Sequence, residues 1–299
     1  MQMIRLGIVD FDTSHVLEFT RRLCHVGVNQ DQWVDGAQIV VACPGDSKIM
    51  PERIPGYTKE MKALGIPLVD RPEEMIGKVD GILVESQEGG RHWERAKLFL
   101  ESGIPCYVDK PFTCGTEDAR KIIELAKQKG LPVFSSSSLR YAPELVKYLE
   151  SDKHGHVTGA ETYGPASLHE RNPGLYHYGI HAVEMLYTIM GPGCDRVTCL
   201  HEKDADLVTG HWRDGRIGCV RGIRKGKADY GCLIFAEKSL DSLPVSARFI
   251  YRELLKKIVE FFATRHSPVD PAVTFEIVAF IEAAFKSGNN HGISEKLAT

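Results

Sequence analysis

From residue 3 to about residue 135 the chain alternates short apolar runs with stretches of helical spacing, and this alternation constrains the fold more than any other feature. Ile4 to Val9, Gln38 to Cys43, Gly81 to Glu85, Pro105 to Val108 and Pro132 to Ser135 read as strands. Between them, Ser14 to Val26, His92 to Ser102 and Glu117 to Lys129 carry helical spacing, with Gly103 and Gly130 where C-terminal caps belong. Strands joined through helices pair in parallel, so this half is expected to be a doubly wound parallel sheet.

The pattern changes near the midpoint. Val157 to Tyr163, Arg196 to His201, Asp206 to Trp212, Arg216 to Ile223 and Ala228 to Phe235 follow one another as strands. One helix, Leu175 to Met190, comes early in this series, and two more, Phe249 to Thr264 and Pro271 to Ser287, close the chain. Strands in series with helices grouped around them indicate an α+β domain with a largely antiparallel open sheet. The expected fold class is therefore α/β, with a Rossmann-like domain over 1–136 and an α+β domain over 137–299. The serine run at 135–138 is the expected crossing.

Charge and cysteine usage narrow the function. A net charge of -3 offers no basic field for nucleic acid, and no segment is long and apolar enough to span a bilayer. The N-terminus passes directly into a strand pattern without a signal-peptide core. The eight cysteines are scattered without a C-x-x-C pair, which points to a reducing, cytoplasmic setting and no zinc knuckle.

Two clusters carry chemistry. The run Ile104 to Thr113 ends a strand on Asp109, Lys110 and Pro111, placing an ammonium at a strand carboxyl end, where ligands gather in α/β sheets. A plain turn with a solvated lysine is the structural alternative. In the second cluster, His177, His181 and Glu184 are spaced to project from one helix face, which suits a general base or a metal. Two histidines at this spacing still need a third metal ligand, and hydrogen-bonded structural histidines are the plainer reading.

Together these clusters resemble the Gfo/Idh/MocA family of NAD(P)-dependent oxidoreductases. The Val-Asp-Lys-Pro-Phe run ending at Phe112 is similar to the family's Asp/Glu-Lys-Pro motif, and His177 to His181 is similar to its Asp-x-Gly-x-His motif. His92 and Arg140-Tyr141-Ala142-Pro143 add supporting matches over nearly the whole chain. The resemblance implies Lys110 and His181 as catalytic residues, with Lys110 at the substrate oxygen and His181 as acid/base. It implies His177, Arg140 and Tyr178 at the substrate. It places Asp12, Thr13, Ser14, His15, Asp46, Ser86, His92, Asp109 and Pro111 on the cofactor side. An imidazole titrating near neutral pH and a cation beside a developing alkoxide suit alcohol oxidation. The partners implied are a small-molecule substrate and a second copy, as homodimer or homotetramer through the open sheet, with neither nucleic acid nor membrane.

The sequence departs from the family pattern in three places. His177 stands where the family usually has Asp. In the first turn, Asp10, Asp12 and His15 replace the glycines of G-x-G-x-x-G, and carboxylates there repel a pyrophosphate. Thr13 or Ser14 remains available to cap the following helix. Pro44 takes the usual place of the ribose-reading acid, leaving Asp46 as substitute, and no arginine patch is visible nearby in sequence, so NAD is expected over NADP. The leading expectation is a dehydrogenase acting on a sugar, polyol or related hydroxy compound. The alternatives are a cofactor-free family member serving as non-redox enzyme or sensor, and a metal-dependent hydrolase or lyase using His177, His181 and His169 or Glu170.

Overall fold

The structure, a computed structural model, describes residues 3–299 and divides into two compact units. The first comprises 3–113, 117–136 and 251–271; the second comprises 114–116, 137–250 and 272–299.

In the first unit the chain runs β1 (Ile4–Val9), α1 (His15–Cys24), β2 (Ala37–Cys43), α2 (Arg53–Ala63), β3 (Gly81–Val84), α3 (His92–Glu101), β4 (Cys106–Val108), α4 (Thr116–Gln128) and β5 (Val133–Phe134). The strands form one parallel sheet in the order β2-β1-β3-β4-β5. Helices on both faces require strands that are apolar throughout, and Ile82, Leu83 and Val84 of β3 are fully buried. Gly103 and Gly130 follow α3 and α4 with φ of 79° and 63°, as their C-terminal positions predict. The strand order reverses beside β1, and the loops after β1, β3 and β4 open at that switch point.

The second unit contains α5 (Pro143–Leu149), β6 (Val157–Pro165), α6 (Ile180–Met190), β7 (Cys194–Glu202), β8 (Ala205–Trp212), β9 (Ile217–Ile223), β10 (Gly231–Ala236) and β11 (Leu240–Pro244). After α7 (Ile250–Thr264) come α8 (Pro271–Asn289) and β12 (Glu295–Lys296). Its sheet runs β11-β10-β6-β9-β8-β7-β12; β6 and β9 pair in parallel, and the other neighbours pair antiparallel. Residues alternate across it: Val208 and Val220 are buried, whereas Leu200, Leu207, Ile217 and Leu240 are exposed on the opposite face. Helix α6 covers the buried face, and Thr162 Oγ1 donates to Ala182 O at 2.8 Å.

The expected division at 136/137 corresponds to one crossing, but 137–299 is not one unit. Residues 251–271 return to the first sheet because α7 presents aromatic side chains to it: Phe261 lies 5.6 Å from Phe134, ring to ring, and Phe262 covers Gly81. A Cβ on Gly81 would meet the Phe262 ring at 2.2 Å, so only glycine permits this approach. The helix expected from Leu175 also starts later. A 3-10 turn spans Gly174–Tyr176, and α6 proper begins at Ile180, which places His177 in the connecting turn and off the helix face.

Candidate active site

In the first unit the chemistry sits on the loops after β1, β3 and β4. Asp10 holds the left-handed conformation (φ 66°) that glycine ordinarily supplies at this turn. Its carboxylate accepts two bonds of 2.9 Å from Arg95 and one from the Ser86 hydroxyl. Asp12 accepts from Ser47 Oγ at 2.7 Å and from the Gln87 amide at 2.7 Å, while Arg53 donates to its carbonyl at 3.0 Å. Burial pushes the Asp12 carboxyl up, against the lowering effect of those bonds. Both carboxylates of the turn are thus engaged within the unit. Ser14 occupies the N-cap position of α1 without a side-chain capping bond, and Thr13 Oγ1 faces Glu85 Oε2 at 3.5 Å, so neither supplies the expected cap.

His15 opens α1 and turns inward. Its Nδ1 lies 3.0 Å from Asp109 Oδ1 and 3.5 Å from Glu85 Oε2, and its ring stacks on Phe19 at 4.8 Å. Burial disfavours its charge, but the two carboxylates outweigh that and push the imidazole up to about 10. Burial and the Asp109 charge raise the Glu85 carboxyl; the Asp109 carboxyl is held down, because His15 and Lys110 outweigh its burial. Lys110 is almost buried, with Nζ 3.9 Å from Asp109 Oδ2, and the Lys110–Pro111 peptide is cis. The solvated-lysine alternative does not describe this residue.

Two cofactor-side expectations change. His92 is fully buried, with its ring nitrogens at 3.1 Å from Phe112 O and 2.8 Å from Ser86 O. It ties the loop after β3 to the loop after β4, and both polar atoms are already taken. Asp46 is bonded to Arg91 at 2.7 Å and approached by Arg95 at 3.8 Å, and the Arg91 bond leads the causes holding its carboxyl down. An arginine pair therefore stands beside Asp46, contrary to the sequence reading. It was hidden because both arginines come from the region after β3, about one and a half βα units further along the chain.

In the second unit, His181 Nδ1 faces Ser137 Oγ at 2.7 Å, and that oxygen also accepts from the Leu139 amide at 3.1 Å. The rings of Tyr178 and Tyr230 lie 6.1 and 5.6 Å from the His181 ring, and His177 lies 4.9 Å from Tyr178. This brings His177, Tyr178 and His181 together. Arg140 donates through Nε to Glu184 at 2.5 Å, both side chains largely buried, which ties it to α6, while its Nη2 has no hydrogen-bond partner among the described residues. Sequence reasoning passed over Ser137, Glu85, Arg95 and Tyr230; only the serine run at the crossing offered a local signal. His169 lies 5.4 Å from His177, ring to ring, and lines a cavity of about 410 Å³ with Leu168, Leu175, His201 and Phe285. Among the described residues, the three-ligand group with donor atoms within 4.8 Å of one another is His15, Glu85 and Asp109. The second-unit histidines thus lack the assembled set that the hydrolase alternative requires.

Residues 47–137 match the profile described as "Oxidoreductase family, NAD-binding Rossmann fold", that of Gfo/Idh/MocA. The uncharacterized oxidoreductase YhhX of Escherichia coli (strain K12) is 31% identical over 123 residues, covering 37% of this chain and 35% of that protein. UDP-N-acetylglucosamine 3-dehydrogenase of Acidithiobacillus ferrooxidans is 26% identical over 98 residues, covering 33% of this chain and 30% of that protein. The matched stretch thus spans about a third of these curated relatives. Solved structures extend the fold likeness to the whole chain. Myo-inositol 2-dehydrogenase from Lactobacillus plantarum superposes with a TM-score of 0.81 at 14% identity, covering 99% of this chain and 100% of that one. GenD2 from gentamicin A biosynthesis, in complex with NAD, gives a TM-score of 0.81 at 17% identity, covering 100% and 97%.

Proposed function

We propose, from the premise that this chain belongs to the Gfo/Idh/MocA oxidoreductase family through the matched part of its first unit, that it is an NAD-dependent dehydrogenase or reductase acting on a sugar, polyol or related hydroxy compound. The observation that carries this reading is Lys110: an ammonium held nearly out of water at the carboxyl end of β4, beside Asp109, inside the matched stretch. The hydroxyl chemistry named in the relatives' descriptions, on UDP-N-acetylglucosamine and on myo-inositol, supports the substrate class.

The first turn fits a dinucleotide because its carboxylates are already held. Asp10 keeps the glycine-like backbone and gives its charge to Arg95, and Asp12 is bonded to Ser47 and Gln87. Backbone amides at Thr13, Ser14 and His15 open α1 and would face the phosphates, with Asp46 at the ribose. When bound, the nicotinamide supplies the hydride acceptor or donor. Lys110 stabilises negative charge developing on the substrate oxygen. His181 takes or returns the hydroxyl proton, its ring oriented by Ser137, while His177 and Tyr178 bind the substrate.

A second reading, a family member without the cofactor, is favoured by one observation: the Gln87 amide is committed to Asp12. Equilibrium titration with NAD+ and NADP+ separates the two. The dehydrogenase reading expects saturable binding below about 1 mM and NADH formation with a polyol panel. Absence of binding by either dinucleotide would support the cofactor-free reading. We further read the chain as cytoplasmic, in keeping with its eight free thiols, and as a dimer or tetramer. No described helix is long and apolar enough to cross a membrane. Exposed Leu200, Leu207 and Ile217 on the sheet face opposite α6 support a second copy as its cover, which light scattering checks directly.

A further inference from the structure

We propose that His15, Glu85 and Asp109, beneath the proposed cofactor turn and beside Lys110, form a binding site for one divalent first-row transition-metal ion. The three come from the loops after β1, β3 and β4, and their donor atoms lie within 4.8 Å of one another. An ion about 2.0–2.2 Å from each ligand sets tetrahedral ligand atoms about 3.3–3.6 Å apart, and octahedral neighbours about 3 Å apart. The distances from His15 Nδ1, 3.0 Å to Asp109 and 3.5 Å to Glu85, fall at those spacings, and the ion would take the place of the proton that Nδ1 shares with the two carboxylates.

A second, independent observation also points to an ion. Glu85 is wholly buried and its Oε1 accepts no hydrogen bond among the described residues, although its Oε2 faces His15; Asp109 Oδ2 also accepts none and meets the Lys110 ammonium at 3.9 Å, beyond hydrogen-bond reach. A buried carboxylate oxygen without a donor, such as Glu85 Oε1, costs free energy unless a cation serves it. Thr13 Oγ1, 3.5 Å from Glu85 Oε2, adds a neutral oxygen at the edge of the group.

The donor set selects the ion. One imidazole and two carboxylates suit Zn²⁺, Mn²⁺ or Fe²⁺; Ca²⁺ and Mg²⁺ take oxygen ligands, and no thiolate is present to favour Cu(I). The ring is already positioned for ligation, because Phe19 stacks on one face at 4.8 Å and Tyr251 meets its edge at 5.0 Å, leaving Nδ1 toward the carboxylates.

Because the three ligands are buried, loading is tested during folding. The full chain is refolded from denaturant with Zn²⁺ or Mn²⁺, desalted and measured for bound metal and for Tm. The expected result is about one retained ion per chain after desalting and, with the metal added back at a hundredfold excess over Kd, a Tm about 5 °C above the metal-free protein. Glu85→Gln keeps the shape and His15→Gln removes the imidazole; each is expected to weaken retention at least tenfold. His266→Gln, on an exposed histidine, is expected to change nothing. If neither variant refolds, competition of the wild-type chain with a chromogenic chelator gives the affinity alone. A chain that retains no ion from either metal, or variants that retain as much as wild type, would show that the three side chains are only an ion-paired network.

Discussion

Replacing Arg95 by methionine is expected to destabilise the first unit by about 3 kcal/mol, although Arg95 contacts no proposed substrate group. Asp10 is fully buried, and Arg95, with a side chain 18% exposed, gives it two bonds of 2.9 Å. Without the guanidinium, the carboxylate keeps only the Ser86 hydroxyl in a site closed to water. Breaking a buried pair by removing one partner typically costs about 3–5 kcal/mol, because the remaining charge is uncompensated. At about 2–4 °C per kcal/mol for a domain of this size, the midpoint should fall by about 6–12 °C. Asp10→Gly acts differently. It removes the buried charge and relieves a left-handed backbone that costs a non-glycine residue about 1–2 kcal/mol, while Arg95 retains Asp46 at 3.8 Å. The double variant should therefore lie within about 1 kcal/mol of wild type, and the two changes should couple by about 2 kcal/mol or more. Differential scanning calorimetry on the four proteins measures this cycle. An Arg95→Met midpoint within about 2 °C of wild type, or a double variant showing the simple sum, would refute the argument that Asp10 is a buried charge dependent on Arg95.

Lys110→Met is expected to lower kcat on the identified substrate by a hundredfold or more, about 3 kcal/mol of barrier, while leaving the circular dichroism spectrum unchanged; full turnover removes the lysine from the chemistry. Asp12→Gly should tighten NAD+ about tenfold by removing a negative charge and freeing the Gln87 amide, and calorimetry showing equal or weaker binding contradicts that. Ser137→Ala should lower kcat more than it raises KM, because the hydroxyl orients His181 at 2.7 Å; a change confined to KM would place Ser137 at the substrate instead. Glu282 is partly buried, which raises its carboxyl, yet bonds from Lys286 and the Thr116 amide hold it below the ordinary value. A depressed folded value adds stability above the unfolded value, lost as pH falls through the folded one. Glu282→Gln should accordingly lower Tm at pH 7 and have little effect near pH 2.

The elements were legible where side-chain periodicity was strong. The five parallel strands and the long helices lie close to their expected bounds, because strands buried on both faces read as continuous apolar runs. Helix α2 was not legible: Pro55 and Gly56 interrupt its pattern, and Met61 is its buried residue. Short local motifs single out Lys110 and His181 as candidates. Glu85 and Arg95 could not be singled out this way, since their roles depend on Asp109 and Asp10, which only the sheet order brings near. The same holds for Asp46, whose arginine partners begin 45 residues away. Periodicity placed His177 on a helix face, yet the 3-10 turn before it delays α6 to Ile180.

The return of α7 to the first sheet bears on how this chain is made. A ribosome releases residues 1–136 long before it reaches 251–271, so the parallel sheet emerges lacking the aromatic cover of Phe261 and Phe262. The nascent first unit then carries exposed apolar surface until more than a hundred further residues have been translated, the interval in which slow-closing sheets are most prone to associate wrongly. A fragment ending at Ser136 inherits this unfinished state permanently. Any excised version of the unit needs 251–271 supplied again, as a linked segment or a separate peptide.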